Sequence, residues 1–202
     1  MIYFHAGLPK SASTFLKKKV FPKINSIKYI GQPNYDILER QTRYDRTTLT
    51  RFFDRTPLVW KEFGKKFFEK ISKHKNFDKS KKNLISDANS LVADINDPVR
   101  LRNHLSEFKK TLKNNKVSPL KVLLFVRRQD KWLSSAYAET SPHLENPSKE
   151  HFEEWVFENL KSNSNYYYGP GIKINYNILY ENIEKAVGKQ NVLFVPYEML
   201  KK

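Results

Sequence analysis

The chain has 202 residues, of which 39% are hydrophobic and 14% aromatic, and this composition predicts one globular domain with a single sizeable core. It contains no cysteine, which excludes disulfide frameworks, thiolate metal sites and cysteine nucleophiles. The 37 Lys and Arg against 21 Asp and Glu give a net charge of +16, which favours an anionic partner without naming one. Solvated lysine-rich faces explain the same charge equally well.

The first predicted element is a short buried strand, Ile2–Ala6, which ends at a Gly-Leu-Pro break. Ser13 or Thr14 is suited to cap the helix that follows, and this helix is expected to end before Pro22. Because Met1 leads straight into the strand, without a basic region and a long apolar run, we expect no signal sequence and a cytoplasmic location.

The middle of the chain alternates short apolar runs with amphipathic patterns. Residues 27–30 are predicted to form a second strand, whereas residues 36–55 show no clear period and are left unassigned. Aromatic and apolar residues recur every three or four positions over 60–71 and predict a helix. A basic surface connection over 73–82 then leads to a short strand that delivers Asp87 to the edge of a sheet.

The later part of the chain contains the clearest strand, residues 121–126, after a helix that begins at Asp97. Its unbroken apolar character favours a central parallel strand covered on both faces. The remaining predictions are a helix that contains Trp132, a helix over 149–161, a Tyr-rich loop over 163–171, a helix over 177–187 and a strand over 191–195.

Strands that alternate with helices predict a three-layer α/β/α fold with a central, mainly parallel sheet, because parallel strands need crossover connections. In such sheets ligands bind beyond the carboxyl ends of the strands. The loops of interest are therefore those that follow Ala6, Ile85 and Val126.

The loop after the first strand combines small and hydroxylated residues with one lysine at the start of a helix. The first-turn amides of a helix have no intrahelical acceptor, and together with the helix dipole they favour a phosphate or sulfate group. Lys10 supplies a point charge, while Gly7 and Ala12 leave room for close approach of the backbone. Hydroxyl donors are supplied by Ser11, Ser13 and Thr14. An ordinary capped helix with a surface lysine is the alternative interpretation.

This loop departs from the nucleoside-triphosphate P-loop, which has a glycine directly before its lysine. Here Pro9 precedes Lys10, and the lysine follows Gly7 by only three residues. No acidic residue ends the strand over 121–126 to hold magnesium. The sequence therefore argues against an ATP-dependent kinase or ATPase.

A second positive loop follows the clearest strand. Arg127 leaves that strand, and Ser135 lies on the helix that follows. An arginine in this position is suited to grip a phosphate with its planar fork, and the serine adds a hydroxyl donor. The alternative is an arginine that pairs with Asp130 at the surface.

These residues resemble the sulfotransferases that use 3′-phosphoadenosine 5′-phosphosulfate (PAPS). Residues 4–16 are similar to the family's 5′-phosphosulfate loop, commonly Pro-Lys-Ser/Thr-Gly-Ser/Thr-Thr. Residues 126–137 are similar to its 3′-phosphate motif, an Arg followed eight residues later by Ser, and residues 191–200 resemble a later strand with a Tyr-Glu-x-Leu segment. The matches run in the family's order across nearly the whole chain. They imply a fold like that of the P-loop-containing nucleoside triphosphate hydrolases.

The resemblance implies that PAPS is the donor and that no metal is needed. Lys10 would contact the bridging and sulfuryl oxygens, while Arg127 and Ser135 would hold the 3′-phosphate. The 5′ group would be held by Ser11, Ala12, Ser13 and Thr14. Transfer to a hydroxyl or amine acceptor would then rest on positioning and electrostatics.

Several positions depart from the family pattern. Ala12 replaces the usual loop glycine, so we expect it to keep a negative φ. Many relatives carry an acceptor-activating Glu or His; Asp87 is the nearest substitute here and is predicted as the catalytic base, with His5 and Glu62 as other candidates. Relatives usually continue beyond the position of Leu200, so we interpret residues 1–202 as a single sulfotransferase-like domain that lacks this segment.

Two other functions remain open on the sequence. The charge and the aromatic run over 166–168 are compatible with a nucleic-acid-binding protein, although the resemblance makes nucleic acid a less suitable partner. A nucleotide kinase is the other candidate. Within the sulfotransferase interpretation, a saccharide, a small alcohol and a lipid headgroup all remain candidate acceptors, and the oligomeric state is not predicted.

Overall fold

The computed structural model describes residues 1–38, 47–88, 90–91, 97–160 and 175–201. Within these ranges the chain forms a five-stranded sheet in which every pair of neighbours is parallel, in the order β2-β3-β1-β4-β5. The strands are β1 (Ile2–Ala6), β2 (Lys28–Gly31), β3 (Asn83–Asp87), β4 (Leu120–Val126) and β5 (Val192–Pro196). The predicted α/β class with a parallel central sheet is confirmed.

Seven α-helices are described, together with shorter helical segments. The α-helices are α1 (Ser13–Phe15), α2 (Thr48–Phe53), α3 (Val59–Ser72), α4 (Pro98–Asn114), α5 (Gln129–Thr140), α6 (Lys149–Leu160) and α7 (Tyr176–Val187). A π-helix over Leu16–Val20 and a 3-10 turn over Phe21–Lys23 continue α1, and further 3-10 turns cover Ser141–His143, Lys189–Asn191 and Tyr197–Lys201.

Helices cover both faces of the sheet. Alternate side chains of each strand point to opposite faces, and each face carries apolar side chains that pack against helices. On one face, Phe4 and Val122 pack into a core with α2, α3, α4 and α7. On the other face, Leu84 and Phe125 pack against Leu16 and Phe21 of the segment that follows β1. β1 and β3, in the middle of the sheet, are buried along almost their whole length, as expected for parallel strands covered on both faces.

This topology opens a crevice at the carboxyl end of β1. The chain after β1 crosses to one face, whereas the chain after β3 crosses to the opposite face as α4. Adjacent parallel strands whose connections diverge in this way leave a gap between the two loops. The residues after Ala6, Asp87 and Val126 lie at this edge of the sheet.

Two expectations about the elements need correction. The helix after β1 does not end cleanly before Pro22, because Pro22 enters a 3-10 turn, where its missing amide is not needed. The sequence shows no clear period over residues 36–55, where the structure forms α2, and residues 39–46 lie outside the described ranges. The Tyr-rich loop predicted over 163–171 also lies outside the described residues.

Candidate functional site

The loop after β1 contains two residues in the left-handed backbone region. Lys10 has φ 59° and Ala12 has φ 62°, so the expectation that Ala12 keeps a negative φ is wrong. A residue with a Cβ costs roughly 1–2 kcal/mol in this conformation relative to the right-handed one. Surrounding contacts must therefore hold the loop in this shape.

Gly7 is required by the close approach of the loop to its neighbours. A Cβ at this position would lie 2.5 Å from the Ser13 hydroxyl and 2.7 Å from the Cα of Ala88, both far inside contact distance. The close approach seen here is between protein atoms, and room for an anion at Gly7 stays a prediction. The Ser13 hydroxyl itself is buried and has no hydrogen-bond partner among the described residues.

Three consecutive carbonyls of this loop accept hydrogen bonds from side chains. The Ser11 hydroxyl donates to the carbonyl of Leu8 at 2.6 Å. The Trp132 indole, on α5, donates to the carbonyl of Pro9 at 2.8 Å. The Arg127 guanidinium donates to the carbonyl of Lys10 at 3.5 Å. The segment after β4 thus fixes the loop after β1 at two successive peptides.

Arg127 is held from several sides. Its guanidinium lies over the Tyr197 ring, 5.1 Å from the centroid, in a cation–π contact. Its own carbonyl accepts a hydrogen bond from the Tyr176 hydroxyl at the start of α7. Arg127 is half-buried, so its charge is positioned at the edge of the sheet rather than free in solvent.

The neighbouring Arg128 takes the surface pairing that was the alternative interpretation for Arg127. Two guanidinium nitrogens of Arg128 donate to the two carboxylate oxygens of Asp130, at 2.8 and 2.6 Å. This pairing holds the pKa of Asp130 well below its usual range. The Arg128 amide donates to Glu198 at 3.1 Å, and this bond lowers the pKa of Glu198. The carboxylate of Asp130 is therefore paired with Arg128 rather than with Arg127.

The remaining predicted binding residues surround the same two loops. The Lys10 ammonium lies 3.6 Å from a carboxylate oxygen of Glu139, and the Lys10 side chain is 30% exposed. Ser135 lies half-buried on α5, one helical turn before Glu139. Thr14 is exposed in α1. Lys10 and Arg127 thus belong to one region of the molecule.

Asp87, the predicted catalytic base, is fully buried at the end of β3. One carboxylate oxygen accepts from the Thr50 amide at 3.2 Å, and the Thr50 hydroxyl lies 3.1 and 3.2 Å from the two oxygens. The Thr47 hydroxyl also donates to it, and the Gln32 amide lies at 3.4 Å. These contacts anchor the start of α2. Asp87 as a base stays a prediction, and it requires at least one of these bonds to open.

The two other candidate bases have different surroundings. His5 is fully buried, its Nδ1 lies 2.7 Å from the Ser86 hydroxyl, and its ring packs edge-on against Phe21 and Phe125. Burial, with a smaller contribution from Lys17, lowers the pKa of His5 to about 4. Glu62 is exposed in the first turn of α3. Among the described residues, neither His5 nor Glu62 has a hydrogen bond to the loop that contains Lys10.

Sequence reasoning missed the residues that fix the two loops, chiefly Trp132, Tyr176 and Glu139. Trp132 was placed on a helix without a role, although a tryptophan among the mostly polar residues of α5 is a signal of burial against another segment. For Glu139, the spacing of four from Ser135 places both side chains on one face of α5. No signal in the sequence points to Tyr176.

The described residues offer no candidate for a metal cluster or for a membrane-spanning helix. No group of three or more His, Asp or Glu side chains that could hold a metal ion lies within the described ranges. Over the same ranges, no helix is both long enough and apolar enough to cross a membrane.

Comparison with known proteins identifies the fold. The sequence matches no protein-family model and no curated protein closely enough to assign a family. A solved structure described as a sulfotransferase from Alicyclobacillus acidocaldarius aligns over 98% of this chain and 74% of that one, with a TM-score of 0.56 and 11% identity. The chain shares that fold. At this identity the likeness shows the fold alone.

Proposed function

We propose that this protein is a sulfotransferase that moves a sulfuryl group from PAPS to a hydroxyl or amine acceptor. The observation that carries the proposal is the contact between the two positive loops, in which the Arg127 guanidinium reaches the carbonyl of Lys10 at 3.5 Å. One nucleotide with phosphates at its 5′ and 3′ positions is then able to meet both loops. The fold shared with a known sulfotransferase supports the same conclusion.

The loop after β1 fits the 5′ end of such a donor. Gly7 lets the loop pack closely against Ser13 and Ala88, and the buried Ser13 hydroxyl is a donor without a protein partner in the described part of the chain. Backbone amides and the Lys10 ammonium supply further donors to an anion. Arg127 and Ser135 would hold the 3′-phosphate, which distinguishes this donor from ATP.

In the proposed reaction the acceptor oxygen or nitrogen attacks sulfur in line. The new bond to sulfur forms as the bond between sulfur and the bridging oxygen breaks, and adenosine 3′,5′-bisphosphate leaves with the electron pair. Lys10 stabilises the negative charge that grows on the bridging oxygen. The acceptor proton passes to a base, for which Asp87 is the residue predicted from the sequence. The acceptor class and a cytoplasmic location also stay predictions.

Calorimetry with three nucleotides tests the proposal. Adenosine 3′,5′-bisphosphate should bind at least tenfold more tightly than 5′-AMP or ATP, since a charge-assisted bond contributes roughly 1.5–3 kcal/mol. Equal affinity for ATP, raised by magnesium, would favour a kinase instead. Polynucleotide binding that weakens steeply with salt and that the bisphosphate does not displace would favour a nucleic-acid-binding protein.

A further inference from the structure

The hydrogen bond between Trp132 and the carbonyl of Pro9 joins the two loops of the proposed donor site. Trp132 is 1% exposed, and its indole N–H lies 2.8 Å from that oxygen across a sequence separation of 123 residues. A fully buried indole would leave its N–H unsatisfied without such a partner, which is costly. This contact is therefore a fixed point between α5 and the loop after β1.

The direction of that carbonyl determines the direction of the next amide. In a planar trans peptide the C=O and the following N–H point in opposite directions. Trp132 holds the carbonyl of Pro9, so the amide of Lys10 points away from α5. Arg127 holds the carbonyl of Lys10, so the amide of Ser11 points away from the Arg127 guanidinium.

Neither of these amides donates a hydrogen bond within the described part of the chain. The loop that carries these amides is also strained, because Lys10 and Ala12 both have positive φ values. Without an outside contact, such residues favour the right-handed or extended regions. The loop would then no longer present its amides together.

We infer that Trp132 is a positioning residue, which orients the Lys10 amide toward the 5′ group of the donor without touching the donor itself. This inference rests on the proposed function, because it takes the ligand of the loop to be the 5′ end of an adenine nucleotide. Trp132 acts on that end alone, whereas Arg127 would act on the 3′-phosphate as well as on the loop.

The chain offers a matched control in Trp60. Its indole is also buried, 2% exposed, and donates to Nδ1 of His104 at 3.0 Å, in the core between α3 and α4. Trp132→Phe and Trp60→Phe both remove one buried indole hydrogen bond. Only the first of these bonds reaches the loop after β1.

The experiment measures the affinity of each variant for adenosine 5′-phosphosulfate and for 3′-AMP. Trp132→Phe should lower the affinity for adenosine 5′-phosphosulfate about tenfold, which is the effect of losing one hydrogen bond. The affinity for 3′-AMP should not change. Trp60→Phe should change neither affinity. If the Trp132 variant does not fold, β-(3-benzothienyl)alanine at position 132 keeps the shape of the side chain and replaces only the indole N–H by sulfur.

Two results would overturn the inference while the proposed function stands. One is that the Trp132 and Trp60 variants show the same change in affinity for adenosine 5′-phosphosulfate. The other is that the Trp132 variant loses affinity for both nucleotides equally, which would indicate general damage to the fold. A wild-type chain that binds neither nucleotide would overturn the proposed function and the inference with it.

Discussion

Two regions at the carboxyl edge of the sheet carry polar residues, and they differ in how far those residues satisfy one another. Beyond β1 and β4, Lys10 is 30% exposed and Arg127 is half-buried. Beyond β3, Asp87 is fully buried, with both carboxylate oxygens bonded to Thr50. The first region leaves positive charge partly exposed, whereas the second uses its charge to anchor α2.

The difference teaches that a polar residue at the end of a parallel strand is not by itself a binding group. The position predicts a site, but hydrogen-bond partners decide whether the group remains available. A carboxylate whose lone pairs all accept protein hydrogen bonds must break one of these bonds before it takes a proton from a substrate.

The largest effect is expected at Lys10. Lys10→Ala should lower the rate of sulfuryl transfer by roughly 100-fold to 1,000-fold, because the bridging oxygen loses its stabilising charge. Lys18, exposed in the π-helix, is the matched control, and Lys18→Ala should keep wild-type turnover. Rates are measured by single-turnover kinetics, with circular dichroism as the check of folding. Unaltered turnover in a folded Lys10 variant would refute the role of the first region.

A smaller effect, on nucleotide affinity, is expected at Arg127 but not at the adjacent Arg128. Arg127→Ala should weaken the binding of adenosine 3′,5′-bisphosphate by roughly 10-fold to 100-fold, because the 3′-phosphate loses a charged partner. The binding of 5′-AMP should weaken by a smaller factor, since the carbonyl of Lys10 also loses its bond to Arg127. Arg128→Ala should change neither affinity, since its guanidinium pairs with Asp130. Calorimetry measures both ligands. The assignment fails if the two variants behave alike.

The second region is tested at Asp87. Asp87→Asn places an amide against the Thr50 donors and should lower the free energy of unfolding by roughly 2–3 kcal/mol. Asp78→Asn, in the turn before β3, is the control and should leave stability nearly unchanged. Urea denaturation measures stability. Unchanged stability would contradict the anchoring role, and a fall of about 100-fold or more in turnover per folded molecule would support Asp87 as the base.

Acid should weaken the fold through two buried histidines. Burial lowers the pKa of both His5 and His104 to about 4, against an ordinary value of 6.5. Each contributes stability that is complete above pH 6.5 and is lost as the pH falls toward 4, because the unfolded chain binds the proton first. The loss by pH 4.5 should be roughly 2 to 3 kcal/mol per histidine. Denaturation curves that stay constant between pH 7 and 4.5 would contradict this.

Much of the fold could be predicted because its signals are local. The apolar run of β4 and the three-and-four spacing of α3 both follow from burial of neighbouring residues along the chain. α2 could not be predicted, because it is only six residues long and is anchored by Asp87, 37 residues away. Short helices depend on such tertiary contacts more than on propensity.

The candidate site was predictable in its residue types but not in its geometry. The motif around Lys10 and the position of Arg127 are visible in the sequence, and the structure brings them together. The positive φ of Ala12 was not predictable, because the contacts that hold the loop come from Trp132 and Arg127, more than 100 residues later. Sequence patterns do not encode contacts at that separation.

A crystal structure with adenosine 3′,5′-bisphosphate tests most directly whether one nucleotide meets both positive loops. We expect the 5′-phosphate on the amides of the loop around Lys10 and the 3′-phosphate against Arg127 and Ser135, in the same molecule. A bisphosphate that reaches only one loop, or that binds on another surface, would contradict the proposed function.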